Sequence, residues 1–354
     1  MNIYVKAYLD KNLGDDLMLY HLLNYFSNNN SEHIFYIHCE KHLVEYYNNL
    51  LREFLNYKLI QCILRRINRY NIKFNLILQI GGSVLQGKKY SGCWYRFLNC
   101  RLFDKLKRVG INYIIIGCNT GPFKNSFMEY FVKKEISKTS LITTRDINSF
   151  NYIKDIVSKD TVHYFPDILF GISNIINIKE KNESNILGIA VHGKSKEIIS
   201  GFLAEFCEIY NNKTNSKIRL FCFDAGIEDD LTAANMIYER VLNKENIEII
   251  CHEASYNNFL SSMSECNRIV AIRFHAAIIA SAIKIPYITI SYNNKMRNFM
   301  NDINHINKDF PVESINSTSI QEFIDILIND PVIPNDNMGI NNSGHFKTLM
   351  NWLS

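Results

Sequence analysis

The sequence lacks any long apolar run that is free of charged residues. A membrane-spanning helix is therefore not expected, because such residues are costly in a bilayer. The start of the chain has no basic head followed by an apolar segment, so we expect no secretory signal peptide. The most apolar stretch, residues 268–290, is interrupted by four residues: Arg273, His275, Lys284 and Pro286.

The sequence also lacks a CxxC pair, although it contains nine cysteines. Irregularly spaced cysteines without such pairs are typical of reduced thiols in a cytoplasmic protein. Hydrophobic residues make up 47% of the 354 residues and charged residues 21%, close to globular averages. These proportions exclude extensive disorder and a fibrous architecture, and the length suits two domains.

Acidic residues are nearly absent from residues 58–110. This segment has twelve Lys or Arg and one acid, Asp104, whereas the rest of the chain has 27 basic and 34 acidic residues. A basic segment with aromatic residues on a near-neutral body predicts an anionic partner. The candidates are nucleic acid, a membrane surface and a diphosphate-bearing substrate. No recognisable nucleic-acid-binding module is present, so we expect no nucleic acid.

Strand-like and helical segments alternate along the chain in two successive series, which a polar stretch at 174–185 separates. This alternation predicts an α/β fold with two Rossmann-like parallel-sheet domains that face a central cleft. We expect an N-terminal domain over 1–175 on the acceptor side and a C-terminal domain over 186–315 on the donor side. We also expect C-terminal helices over 316–354 that pack back on the N-terminal domain.

A basic helix is predicted over residues 93–108. Trp94, Phe97, Leu98 and Leu102 recur along it at helical spacing. One interpretation is an amphipathic helix that covers the sheet and leaves its lysines in solvent. The other is that residues 88–108 form a reversible docking surface for an anionic membrane, or for the diphosphate of a lipid-linked sugar acceptor.

The ends of the predicted strands carry the candidate site residues, since ligands of parallel α/β sheets bind at the carboxyl ends of strands. Arg273 and His275 share one side of an otherwise apolar segment. Burying two basic groups without an anion is costly, so this pair predicts an anion site, with Lys295 as a further cation.

Other strand ends carry polar residues and glycines. Each has an ordinary structural interpretation beside the functional one: Asp15 and Asp16 at a helix start can be caps or bases, and Gly81-Gly82 can form a tight turn or admit a ligand close to the backbone. Arg145 beside Asp146 can be a surface ion pair or a binding residue. The further candidates at strand ends are Asn12, Gly14, Ser83, Asn119 and Tyr292.

Several motifs together carry a family resemblance over residues 1–300. They are Asn12-x-Gly14-Asp15-Asp16, Gly81-Gly82-Ser83, Gly117-x-x-x-Gly121-Pro122, Thr144-Arg145-Asp146, Pro166-Asp167, Arg273-Phe274-His275 and Tyr292-x-x-Lys295. In order and spacing they resemble the polysaccharide pyruvyl transferase family, which often has a third glycine where this chain has Ser83. The resemblance implies a GT-B-like fold and transfer of pyruvate from phosphoenolpyruvate to a sugar of a surface polysaccharide or its lipid-linked precursor. It also implies a role in cell-envelope synthesis. The cysteine pattern predicts a cytoplasmic enzyme, and the basic segment predicts that it is peripheral on the inner face of the plasma membrane.

The candidate residues suit this chemistry, which needs an acid, a base and cations but no obligate metal or cofactor. His275 is the candidate acid, and Asp15 or Asp16 the candidate base. The candidate donor-binding residues are Arg273, Arg145, Lys295 and Tyr292. The candidate acceptor-binding residues are Asn12, Gly14, Gly81, Gly82, Ser83 and Asn119.

Two alternatives come from other classes of protein. One is a GT-B glycosyltransferase that uses a nucleotide-sugar donor, which would share the cleft and bind the donor diphosphate with the same cations. The other is a non-catalytic sugar- or lipid-binding protein, which the Arg, His and Asp residues at strand ends disfavour.

Overall fold

A computed structural model describes residues 1–29, 31–61, 72–87, 91–174, 185–253, 256–334 and 343–354. The chain divides into two compact units. The first comprises Met1–Leu9, Asp15–Ile168 and Asn341–Ser354, and the second comprises Asp10–Gly14 and Leu169–Ile340.

The units differ from the predicted domains in two segments. Residues 10–14 group with the second unit because they bond to it through the backbone: Leu13 donates its N–H to the carbonyl of Phe223 at 2.9 Å. The predicted C-terminal region 316–354 is divided between the units, and only its last helix belongs to the first.

The first unit is built on a seven-stranded, fully parallel sheet with the strand order β3-β2-β1-β4-β6-β8-β9. Its central strand β4 is buried at every position, as a nearly continuous apolar run predicts for a strand covered on both faces. Two short strands, β5 and β7, form a separate parallel pair; β5 follows β4 in the chain and β7 follows β6. The strands are β1 (Asn2–Lys6), β2 (Ile34–His38), β3 (Tyr57–Ile60), β4 (Leu76–Ile80), β5 (Leu85–Gly87), β6 (Asn112–Cys118), β7 (Thr120–Phe123), β8 (Leu141–Thr144) and β9 (Val162–Tyr164).

The helices of the first unit have clear start signals where their caps are polar. Asn125 accepts from the N–H of Met128 at 2.8 Å, and Asp146 accepts from that of Ser149 at 2.8 Å. The helices are α1 (Leu13–Asn28), α2 (Val44–Leu50), α3 (Ser91–Arg108), α4 (Ser126–Ile136), α5 (Ile147–Lys154) and the C-terminal α12 (Gly344–Leu353).

The second unit has a six-stranded parallel sheet with the order β12-β11-β10-β13-β14-β15 and its own core. Its strands are β10 (Ile186–Ala190), β11 (Lys217–Cys222), β12 (Ile247–Cys251), β13 (Arg268–Ala271), β14 (Tyr287–Ser291) and β15 (Asp309–Pro311). Its helices are α6 (Lys196–Thr214), α7 (Asp230–Tyr238), α8 (Tyr256–Ser264), α9 (Phe274–Ala282), α10 (Asn294–Asp302) and α11 (Ile320–Asn329). In the described part of the chain, no helix is both long and apolar enough to cross a membrane.

Each sheet has a point where the strand order reverses. In the first unit this point lies between β1 and β4, and in the second between β10 and β13. The loops that leave such neighbouring strands diverge and form a crevice at their carboxyl ends, where ligands bind in doubly wound folds. The segments that follow these strands carry Asp15, in the first turn of α1, and Gly81-Gly82 in the first unit, and His192 and Arg273 in the second.

The predicted basic helix exists as α3, and it covers the sheet through Phe103 and Leu106, with Leu102 packed against the same core. Trp94, which the pattern groups with Leu102, does not share this contact. Trp94 is 66% exposed, and among the α3 side chains whose burial the structure describes, the buried ones are Arg96, Asn99, Cys100, Phe103 and Leu106. The opposite face turns inward because Arg96 donates to Glu135 of α4 at 2.5 Å and Phe103 stacks on Tyr113 of β6. The predicted contact residues Lys88 and Lys89 lie outside the described residues, as does most of the predicted linker 174–185.

Candidate functional site

Arg273 lies at the carboxyl end of β13 and is the N-cap residue of α9. Its buried guanidinium is held by two carboxylates: Nε donates to Oδ2 of Asp230 at 2.9 Å, Nη2 donates to the other oxygen, and Nη1 donates to Glu228. Burial acts to lower the pKa of Arg273, but these carboxylates raise it above the ordinary arginine value. The chain thus supplies the counter-charge, and burial of Arg273 does not by itself require an anionic ligand.

Asp230 is the fixed point of this cluster. It is the first residue of α7, fully buried, and accepts from three backbone N–H groups: those of Gly193 at 2.8 Å, Phe223 at 3.0 Å and Asp224 at 3.0 Å. A Cβ at Gly193 would lie 1.6 Å from the carbonyl oxygen of Glu228, so only glycine fits there. Asp230 therefore holds Arg273 from a rigid position.

His192 and Tyr292 line the same cluster. Their rings stack with centroids 3.6 Å apart, Nδ1 of His192 lies 2.9 Å from Oγ of Ser195, and its Nε2 lies 3.7 Å from Oε2 of Glu228. Burial lowers the pKa of His192 and raises the pKa of Tyr292 to about 12. Tyr292, a predicted donor-binding residue, is therefore a neutral phenol beside the Arg273 cluster.

His275 lies in the first turn of α9, two residues after Arg273, and is half-buried. A Cβ at Gly14 would lie 1.7 Å from Nδ1 of His275, so the imidazole rests directly on the Gly14 backbone. The structure thus brings together a predicted acid and a predicted acceptor-binding glycine within the second unit. Lys295 lies at the start of α10, where its backbone N–H donates to the cap residue Asn293 at 3.0 Å.

Arg145 follows β8 in the first unit, and its side chain is buried, so it does not form an ion pair at the surface. Its buried guanidinium donates to Asp167 at 2.7 Å through Nη1 and to Oδ1 of Asn119 at 3.1 Å through Nη2. A Cβ at Gly82 would lie 2.0 Å from Nη2 of Arg145, so the guanidinium lies directly against Gly82. Three predicted site residues, Arg145, Asn119 and Gly82, therefore form one cluster.

The C-terminal helix α12 holds the loop that carries Asp167. Nε2 of His345 lies 2.7 Å from the carbonyl of Pro166, and its Nδ1 lies 2.6 Å from Oγ1 of Thr143. Because a carbonyl only accepts, Nε2 carries the proton and Nδ1 accepts from the Thr143 hydroxyl. Burial lowers the pKa of His345 to about 4, which favours this neutral form.

The two adjacent carboxylates at the start of α1 have different environments. Asp16 is fully buried and accepts from the hydroxyls of Tyr46 at 2.9 Å and Tyr47 at 2.7 Å. Asp15 is half-buried, and its Oδ1 lies 3.7 Å from the position of a Cβ at Gly81. Only Asp15 is thus directed toward the strand-end loop at the switch point.

The predicted acceptor-binding residues Asn12 and Ser83 lie outside the two arginine clusters. The amide of Asn12 donates to Asp224 at 2.9 Å, and its Oδ1 accepts from the N–H of Gly14 at 3.2 Å. Asn12 therefore fixes the 10–14 segment in the second unit. Ser83 is exposed at the end of the Gly81-Gly82 turn.

Sequence reasoning missed the carboxylates that hold the two arginines. Asp167 was recognised only as part of a motif, and Glu228 and Asp230 were not selected at all. A usable signal was present: Glu228-Asp229-Asp230 is a run of three acids soon after β11, at the same sheet edge as Arg273. His345 gave no signal, because its partners lie about two hundred positions away in sequence.

Solved structures share this architecture at low sequence identity. UDP-GlcNAc 2-epimerase from Methanocaldococcus jannaschii has a TM-score of 0.66 and 11% identity, with 100% of both chains covered. UDP-GlcNAc 2-epimerase from Neisseria meningitidis has a TM-score of 0.64 and 10% identity over 99% of this chain and 98% of that one. UGT73P12 from Glycyrrhiza uralensis has a TM-score of 0.58 and 8% identity over 99% and 95%. The fold is therefore of the GT-B class, as predicted.

The sequence itself assigns the family. Residues 12–294 match the polysaccharide pyruvyl transferase family, which is most of the chain. The protein belongs to the polysaccharide pyruvyl transferase family and is a transferase, which confirms the resemblance seen in the motifs. Among curated protein sequences no significant match is found.

Proposed function

We propose that this protein transfers pyruvate from phosphoenolpyruvate to two hydroxyls of a sugar and so forms a ketal. The observation that carries the proposal is the placement of His275, on the Gly14 backbone two residues after the buried Arg273, at the switch-point edge of the second sheet. A histidine fixed in this way suits a proton donor, because imidazole is the side chain that ordinarily exchanges protons near neutral pH. Family membership supports the same reaction class.

The proposed reaction assigns one role to each group. His275 protonates C3 of phosphoenolpyruvate, which makes C2 oxocarbenium-like. A sugar hydroxyl attacks C2, and a second hydroxyl displaces phosphate, so the products are the ketal and inorganic phosphate. Arg145 and Lys295 are the proposed cations for the donor's carboxylate and phosphate.

The contacts of Arg273 favour a different role from the donor binding that the sequence predicts. Three of its nitrogens already donate to Asp230 and Glu228. We propose that Arg273 acts chiefly as a positioning residue, which fixes the first turn of α9 and with it His275. Asp15 is the proposed base for the acceptor hydroxyl, with Gly81, Gly82 and Asn119 beside the acceptor.

We further propose that the acceptor is a lipid-linked or polymeric sugar of cell-envelope synthesis. On this proposal the protein is cytoplasmic and contacts the inner face of the plasma membrane through residues 88–108.

A nucleotide-sugar donor is the second candidate, because structural neighbours in the same fold class were solved with UDP-GlcNAc or UDP bound. Phosphorus NMR titration of the protein with phosphoenolpyruvate and with UDP-GlcNAc separates the two candidates without knowledge of the acceptor. We expect only phosphoenolpyruvate to bind. Saturable binding of UDP-GlcNAc alone would overturn the proposal.

Variants then test the assigned roles. Lys295→Ala and Arg145→Ala should each weaken phosphoenolpyruvate binding about thirtyfold, which corresponds to about 2 kcal/mol for a lost charged hydrogen bond. His275→Ala should leave this binding largely intact and abolish phosphate release in the presence of acceptor, whereas His42→Ala, a change at an exposed histidine, should alter neither. Phosphate release at the normal rate by His275→Ala would contradict its role as the acid.

A further inference from the structure

Helices α3 and α4 share a connected cluster of aromatic rings at the surface of the first unit. The ring of Trp94 lies 5.5 Å from that of Phe97, and Phe97 lies 5.8 Å from Phe131. Phe131 in turn lies 4.9 Å from Phe127 and 5.3 Å from Tyr130. These five residues are the α3–α4 aromatic patch.

The patch is exposed to a degree unusual for such residues. Trp94 is 66% exposed, Phe127 59% and Tyr130 55%, while Phe131 is buried beneath them. Contiguous exposed apolar surface on a soluble protein marks an interaction site more often than scattered single residues do. The patch has a rigid base, because Phe131 and Met128 are buried and α3 packs on α4 through Arg96 and Glu135.

The net charge of α3 and α4 is positive. Each acid of the two helices is paired: Asp104 with Lys138, Glu129 with Lys133 at 2.9 Å, and Glu135 with Arg96. Among the residues that the structure describes, the remaining cations of these helices form no ion pair. They are Arg101, Lys105, Lys107, Arg108 and Lys134.

Helical spacing places part of this charge in line with the aromatic rings. Trp94, Phe97, Arg101, Lys105 and Arg108 recur every three or four residues, so they share one face of α3. Arg101 also lies over the ring of Phe97, at 5.5 Å, and Lys134 over that of Tyr130, at 5.9 Å. This face is aromatic in its first half and basic in its second.

We propose that the α3–α4 aromatic patch inserts into the headgroup region of an anionic bilayer while the surrounding cations bind the lipid phosphates. Trp and Tyr favour the membrane–water interface, and basic residues beside an anionic leaflet add affinity without a spanning helix. A second copy of this chain is a poor occupant, because a two-fold contact would set the same cations against each other. The inference extends the proposed membrane contact to α4 and does not depend on pyruvyl transfer.

The protein offers a direct optical test, since Trp94 and Trp352 are its two tryptophans. In Trp352→Phe, Trp94 becomes the sole reporter. With vesicles of phosphatidylcholine and phosphatidylglycerol, its emission should shift to the blue and be quenched by brominated phosphatidylcholine, and high salt should reverse both changes. Phosphatidylcholine vesicles alone should have little effect. Unchanged Trp94 emission with anionic vesicles would overturn the proposal.

Co-sedimentation with the same vesicles separates the two components of binding. Arg101→Gln, Lys105→Gln and Arg108→Gln combined should weaken binding about a hundredfold, or about fivefold for each charge. The matched control neutralises three exposed cations elsewhere, Arg52, Lys159 and Lys217.

The aromatic component has its own control. Trp94→Ala, Phe127→Ala and Tyr130→Ala combined should weaken vesicle binding at least tenfold, whereas Ile227→Ala with Leu242→Ala, which removes equally exposed apolar side chains, should not. Thermal unfolding confirms that each variant is folded. Vesicle binding that survives both the aromatic and the basic variants would overturn the proposal. A concentration-dependent dimer that the aromatic variant abolishes would instead identify a second copy as the occupant.

Discussion

The two buried arginine clusters differ in what holds their carboxylates in place. Arg273 is held by Glu228 and Asp230, from one short segment that the family match includes. Arg145 is held by Asp167, whose loop is bound by His345 of α12, beyond the end of that match. Both arginines and their carboxylates thus lie within the matched residues, but only the Arg145 cluster is also held by a helix outside them.

The largest expected loss of stability follows from a substitution in the Arg273 cluster. Asp230→Asn should lower the free energy of unfolding by about 3–5 kcal/mol, because it leaves a buried guanidinium without its main partner. Denaturant titration measures this loss. Glu228→Gln is the matched control: the Glu228 side chain is 18% exposed, so the loss should be clearly smaller. Equal losses would show that Asp230 is not the fixed point of the cluster.

The next largest expected loss of stability depends on pH and comes from two buried histidines, of which His345 holds the loop of the Arg145 cluster. Burial lowers the pKa of both His345 and His21 from 6.5 to about 4. A depressed pKa in the folded state means that the unfolded chain binds more protons, so the stabilisation is complete above pH 6.5 and is lost as the pH falls toward 4. Each histidine should contribute roughly 3 kcal/mol to this loss.

A variant separates the contribution of His345 from that of the rest of the protein. His345→Gln should make the free energy of unfolding less dependent on pH between 6.5 and 4, whereas His42→Gln, at an exposed histidine, should leave the profile unchanged. If His345 also positions Arg145 through Asp167, the variant should weaken phosphoenolpyruvate binding at pH above 6.5, where it is folded. An unchanged pH profile would contradict the buried neutral histidine.

The sequence predicted both sheets because continuous apolar runs that alternate with helices are typical of parallel strands buried on both faces of a sheet. It missed β3, β5, β7 and β15, which are three or four residues long, and also α4, α5 and α10. Short strands carry too little periodicity to be distinguished from loops, and α4 exposes the aromatic residues Phe127 and Tyr130 that a sequence pattern assigns to a core.

The same limit applies to the candidate site. Strand ends located Arg145, Arg273, His275 and Asp15 correctly at sheet edges, because the carboxyl ends of parallel strands are fixed by the chain's alternation. The partners of these residues come from other loops, and a single sequence does not pair segments that are tens or hundreds of residues apart. Burial of Arg96 in α3 was not predicted for this reason, since its partner Glu135 lies on another helix.

The smallest expected effect on stability separates Asp15 from Asp16. Asp16→Asn should cost about 2 kcal/mol, because a buried carboxylate loses two charge-assisted bonds from tyrosine hydroxyls. Asp15→Asn should change the free energy of unfolding by less than about 0.5 kcal/mol, as half-exposed positions usually do. Denaturant titration of both variants measures the difference.

The two variants should rank the other way in activity, with a larger loss in Asp15→Asn than in Asp16→Asn. Asp15→Asn removes the proposed base while the Gly81-Gly82 turn beside it stays in place, so phosphate release with acceptor should fall at least a hundredfold and phosphoenolpyruvate binding should persist. Asp16→Asn, assayed on its folded fraction, should retain most of its specific activity. Tyr46→Phe removes one of the two tyrosine hydroxyls that donate to Asp16. It should therefore retain activity as Asp16→Asn does, with a smaller loss of stability. Full activity in Asp15→Asn would remove the base from the first unit and leave this carboxylate as a helix-start residue alone.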